Sequence, residues 1–205
     1  MARYVFESVR TMVNGNNDLD WLNRFFDHLR VWYAHSALMA VRRQAKATQD
    51  KTSISLTKLL KEIRANPQIA SWQRYWSHFP DGEDVVALEI EQKWFRAEWA
   101  AECGIYLDSR KIADDLRALE VKSKNIEHLA DMRIAHLDKR EVKIDVKLND
   151  LNECVNCLES LVIKYKRLLR GVSCDSLLPE NMSEEWMEIF TFPWKEASAN
   201  DTLEP

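Results

Sequence analysis

The stretch Asn125–Arg140, NIEHLADMRIAHLDKR, holds the residues of this chain best suited to chemistry. Arg133, His136 and Arg140 are spaced by three and four, which on a helix sets an imidazole between two guanidinium groups along one face. An Arg fork pairs with phosphate oxygens and a neutral imidazole exchanges a proton near pH 7, so the triplet suits a phosphate ester. Lys139, Arg140 and Lys143 extend the positive charge and are candidate phosphate contacts. The same residues also fit a solvated helix end, where cations complement the helix dipole.

Positioning such a triplet requires a long helix. Asp108 is a suitable N-cap, and Ile112, Leu116, Leu119, Ser123, Ile126, Ala130, Arg133 and Leu137 recur at gaps of three and four. That is a heptad seam, which suits a bundle or a two-fold helix pairing. The seam turns polar at Arg133, and a buried cation there needs a partner. Asp131, Asp138 or a bound anion can supply it, as an ion pair across a dimer or as a phosphate site.

The other elements read as further helices. Arg3–Val13 carries Tyr4, Val5, Val9, Met12 and Val13 as one stripe and ends at the NGNN turn. Asp18 caps a helix of roughly thirty residues reaching Thr48, with Leu22, Phe25, Phe26, Leu29, Trp32, Tyr33, Met39 and Ala40 at helical spacing. His35, beside Trp32 and Met39, reads as a packed, hydrogen-bonded histidine. Arg42 and Arg43 suit either a phosphate or the helix C-terminus. Ser53 or Ser55 caps a helix striped by Leu56, Leu59, Leu60 and Ile63 that Asn66 and Pro67 stop.

Trp72, Tyr75 and Trp76 form a short helical stretch before the FPDG turn. Glu83–Cys103 is helical again, with Val86, Ile90 and Trp94 on one strip and Phe95 and Trp99 on the next. Aromatic residues at this spacing read as core. Beyond a charged connection at Lys139–Lys147, a second long helix runs to Arg170 through Leu148, Leu151, Val155, Leu158, Leu161 or Val162, Tyr165 and Leu168, and Gly171 ends it. Its Cys154 and Cys157 lack a second ligand pair for zinc and a preceding strand for thiol redox work, so they read as buried thiols. Ser183 caps a short helix, Glu184–Phe190, and Phe190, Phe192 and Trp194 make an apolar hook.

The run DMRIAHLDKR resembles the signature helix of the HEPN superfamily, the higher eukaryotes and prokaryotes nucleotide-binding helical domains, and in particular its phage abortive-infection branch. QDKTSISLTKLLKEIRANP, from Gln49 to Pro67, and EEWMEIFTFPW, from Glu184 to Trp194, resemble two further stretches of that branch in the same order. The resemblance implies an all-α, antiparallel helical bundle with two or three long helices and short accessory helices, pairing as a homodimer. In active members it implies a metal-independent endoribonuclease across the dimer seam, with no cofactor. His136 matches the family histidine. Active members carry an Arg a few residues ahead of it, at the position aligned with Ala130; the nearest Arg here is Arg133.

Composition agrees with helices. Only 4 Gly and 5 Pro in 205 residues leave few tight turns, and 46% hydrophobic residues can bury one core. One helical domain over 1–195 and a frayed acidic tail over 196–205 are expected. Eight acidic residues against Lys195 put −7 on Asp175–Pro205, leaving +3 of the net −4 on the first 174 residues. That mild excess permits RNA through Lys139, Arg140, Lys143 and Lys147, or through Lys164, Lys166, Arg167 and Arg170. Arg3, Glu7 and Arg10 interrupt any signal-peptide core, no run is long enough to cross a bilayer, and four Cys do not make a disulfide framework, so a cytoplasmic location is expected. There is no internal repeat, low-complexity tract or Gly-rich phosphate loop.

Two functions follow, beside a purely structural reading as a dimeric helical protein with no ligand. As an enzyme, His136 is the acid or base while Arg133 and Arg140 hold the phosphate attacked by the ribose 2′-OH. As a module of phage defence or toxin–antitoxin type, a catalytically silent bundle binds RNA, a nucleotide, or a protein partner such as an antitoxin or nucleotidyltransferase.

Overall fold

A computed structural model describes residues 2–14, 20–46, 54–79, 85–132 and 146–177. The described residues are all-α: α1 (Ala2–Asn14), α2 (Asp20–Ala45), α3 (Leu56–Ala65), α4 (Trp72–Trp76), α5 (Val85–Glu98), α6 (Ser109–Ala130) and α7 (Leu148–Arg170), with a 3₁₀ turn at Pro67–Ile69. They fall into two compact units, one containing α1 and the opening of α2 to Arg30, the other spanning Val31–Leu177. In the first, Phe6 and Val9 are buried and the Phe6 ring stacks on Phe26 at 5.3 Å. The expected Asp18 cap, the Lys139–Lys147 connection up to residue 145 and the Glu184–Trp194 stretch lie outside the described residues.

The larger unit is built on α6. Asp108 caps it by accepting from the Arg110 amide, and Ile112, Leu119, Ser123, Ile126 and Ala130 are buried, as the seam predicts. α7 lies antiparallel to it: Lys164 pairs with Asp115 at 2.8 Å near one end and Lys122 with Glu153 at 3.5 Å toward the other. Leu151, Cys154, Leu161, Tyr165 and Leu168 of α7 are buried. Each such apolar side chain contributes about 1.5–3 kcal/mol by leaving water. α3 packs on another side of α6, also antiparallel, with the Ser109 hydroxyl donating to Arg64 O at one end. At the other end of α3, Thr57 Oγ1 donates to Ala45 O at 2.6 Å, joining α3 to the last turn of α2. Ser55 caps α3 by accepting from the Lys58 amide.

α4, α5 and the segment after them share an aromatic core. Tyr75 meets Phe95 and Trp99 at 5.5 Å each, and Trp72 meets Phe95 at 5.5 Å. The chain after α5 turns back at Gly104, whose φ of +69° is a left-handed conformation favoured by glycine, and forms isolated bridges Ser71–Tyr106 and Ala100–Leu107. α7 ends at Gly171 with φ +65°, where a Cβ would stand 2.6 Å from the Cβ of His78.

Two stripes differ from expectation. In α2 the buried positions are Tyr33, Ala37, Leu38, Val41 and Ala45, while Trp32 is 63% exposed and His35 is exposed rather than packed. In α5 the strip that turns inward is Phe95 with Trp99 beyond it, and Val86, Ile90 and Trp94 face outward. Both helices carry two neighbouring apolar strips, and only the surrounding helices decide which one is covered.

Candidate functional site

The residues read for chemistry follow α6 in the chain, and the last described turn of α6 shows three features. Ala130, the position that the resemblance sets against an arginine, is fully buried at 0% exposure, so its side chain faces the core. Asp131 follows in a π-type turn at 131–132. Its carboxylate accepts from Arg42 Nε and, at 2.6 Å, from Lys46 Nζ, both on the last turn of α2 or just past it. Burial pushes the Asp131 pKa up, but the hydrogen bonds from Lys46 and Arg42 outweigh it and hold the carboxyl below its ordinary range. The clamp answers one question the sequence left open: Arg42 serves a carboxylate of α6. His136, Arg133, Arg140, Lys139 and Lys143 lie outside the described residues.

From this end a groove of about 410 Å³ runs between α3 and α6. Thr57 and Glu127 line it near the α2 junction, then Glu120 and Lys61, then Arg117 and Arg64 toward the N-terminal half of α6. Lys61, Arg64 and Arg117 are exposed, and among the described residues none of their side chains has an ion-pair or hydrogen-bond partner. Glu127 accepts from the Ser123 hydroxyl. Sequence reading missed this constellation because Lys61 and Arg64 sit on one helix and Arg117 on another, some fifty residues on.

The basic set at the end of α7 has a different fate. Lys164 is bound to Asp115, and the Tyr165 hydroxyl donates to the same carboxylate at 2.8 Å. Arg167 makes a two-pronged pair with Glu91 at 2.8 and 2.9 Å, donates to the Tyr75 hydroxyl at 3.2 Å and lies 4.9 Å over the Trp94 ring. Tyr75 in turn donates to Glu91. Burial, then the bond to Glu91, push the Tyr75 pKa up to about 12. These groups are structural partners, so of the two basic sets read from the sequence this one is largely consumed within the fold.

Cys154 is buried and free, and burial pushes its thiol pKa up to about 12, so it carries little thiolate at neutral pH. Among the described residues no group of His, Cys, Asp and Glu is arranged to hold a metal ion, and no helix is long and apolar enough to cross a membrane. No family model matches this chain, and no curated protein or solved structure is matched by it.

Proposed function

We infer that the chain is a HEPN-like, RNA-directed protein of phage-defence or toxin–antitoxin type, in which His136 and Arg133 form a metal-independent ribonuclease site. The observation that supports this is the clamp on Asp131: with Arg42 and Lys46 both on that carboxylate, the acid nearest to Arg133 in sequence is already neutralised. A cation without that counter-ion suits a phosphate. In the reaction the ribose 2′-OH attacks the adjacent phosphorus, His136 moves the proton, and Arg133 with Arg140 stabilises the charge that builds on the phosphoryl oxygens. The 5′-oxygen leaves with a proton, and a cyclic phosphate remains.

One observation favours a second reading, a silent module that binds RNA, a nucleotide or a protein partner. Ala130 lies in the core, so the family's cation is absent and its position does not face solvent. Incubation of the protein with mixed single-stranded RNA in EDTA separates the two. Cleavage that disappears in His136→Ala supports the enzyme, and binding without cleavage supports the module. Neither binding nor cleavage would remove the enzyme and the RNA-binding form of the module alike.

A further inference from the structure

We propose that the α3–α6 groove is a binding site for a ribonucleotide unit, free or within an RNA strand, with its phosphate on Lys61, Arg64 and Arg117. This rests on the RNA-directed reading for the choice of ligand; the site itself rests on the groove. Several other cations of the same unit are occupied. Arg42 and Lys46 hold Asp131, Lys164 holds Asp115, Arg167 holds Glu91, Lys122 holds Glu153 and Arg110 holds Asp108. Arg43, Lys93, Lys124 and Arg170 also have no partner among the described residues, but none of them lines this groove; what sets Lys61, Arg64 and Arg117 apart is that two helices bring them to one cavity. A phosphate oxygen is the acceptor that matches two guanidinium forks and an ammonium.

The other half of the groove narrows the ligand. Glu120 and Glu127 face the same space. A second phosphate there would be repelled, whereas hydroxyl or N–H groups would find acceptors. A ligand with one phosphate toward the Arg64–Arg117 end and donor groups toward Glu127 satisfies both. A ribonucleotide unit has that polarity, its ribose hydroxyls and base amines lying on the side away from the phosphate. The volume of about 410 Å³ falls within the range of small-molecule sites.

The test is binding of a labelled oligouridylate RNA to the full chain in EDTA over a range of salt, with uridine monophosphate as competitor. Lys61→Ala/Arg64→Ala and Arg117→Ala are compared with the native protein. Each lost phosphate contact should weaken binding about tenfold and lower the slope of log affinity against log salt by about 0.7. The unfolding midpoint should not change, because the replaced side chains are exposed and unpartnered. Displacement of the RNA by the mononucleotide identifies a single-nucleotide site, and failure to displace identifies a strand site. Variants that bind with native affinity and slope overturn the groove, and the RNA-directed reading then survives if His136→Ala still abolishes cleavage. If the native protein binds neither probe, both fall.

Discussion

The two sides of α6 treat charge in opposite ways. Toward α7, Asp115 is shared by Lys164 and the Tyr165 hydroxyl, and the neighbouring Arg167–Glu91–Tyr75 network likewise pairs its donors with acceptors. Toward α3, Lys61, Arg64 and Arg117 line an open groove and have no partners among the described residues. Helix dipoles and side-chain entropy act on both sides alike, so the difference lies in whether the charge is closed by the fold or left for something else. Paired groups on the α7 side are architecture, and unpaired groups on the α3 side are available to a ligand.

The sharpest way to break this comparison is to place a charge where the fold has no room for one. Ala130→Arg, which puts a cation where the proposed HEPN likeness would have one, should destabilise the protein by more than about 3 kcal/mol, through overpacking and an unpaired buried charge. Urea unfolding measures the loss. A stable Ala130→Arg protein would mean that this face of α6 opens to solvent, and a gain of RNA cleavage with it would favour the enzyme.

A smaller effect tests the α7 side. Glu91→Ala leaves Arg167 half-buried without its counter-ion and removes the acceptor for Tyr75, so a loss of about 2–4 kcal/mol is expected. The same measurement on Lys61→Ala/Arg64→Ala should stay within about 0.5 kcal/mol of the native protein. Equal losses from the two would erase the distinction between the sides.

The smallest of the expected losses concerns the clamp at the end of α6. Asp131→Asn should cost about 1–3 kcal/mol at neutral pH, the range for hydrogen bonds to a charged group. The Asp131 pKa is depressed in the folded state, so its contribution is complete above the unfolded value of about 3.9 and is lost as the pH falls through the lower folded value. The unfolding midpoints of the native and Asp131→Asn proteins should therefore converge below about pH 4. A gap that persists at low pH would show that the clamp does not act through the carboxylate charge.

What could be read from the chain beforehand was local. The α6 seam, the Ser55 and Asp108 caps and the Gly171 stop are each decided by a few neighbouring residues, and each is found in place. The phase of α2 and α5 was not legible, because Trp32 and Tyr33, or Trp94 and Phe95, are adjacent aromatics and the covering helix is distant in sequence. The clamp joins residues 85 and 89 apart, and the Arg167–Glu91 pair joins residues 76 apart. Nothing in the spacing along the chain marks such partners. Arg167 and Arg117 are both arginines on long helices, and only the fold separates the one that is satisfied from the one that is not.

Where α7 stops at Gly171, its main chain comes so near His78 that a single added carbon would collide. The position is constrained twice, by the handedness of its backbone and by lack of space, and relief of one would leave the other. Among natural variants of this chain, drift should therefore be tolerated across the outer faces of α5 and α7 long before it is tolerated there, making residue 171 a marker of whether a distant sequence keeps the same helix ending.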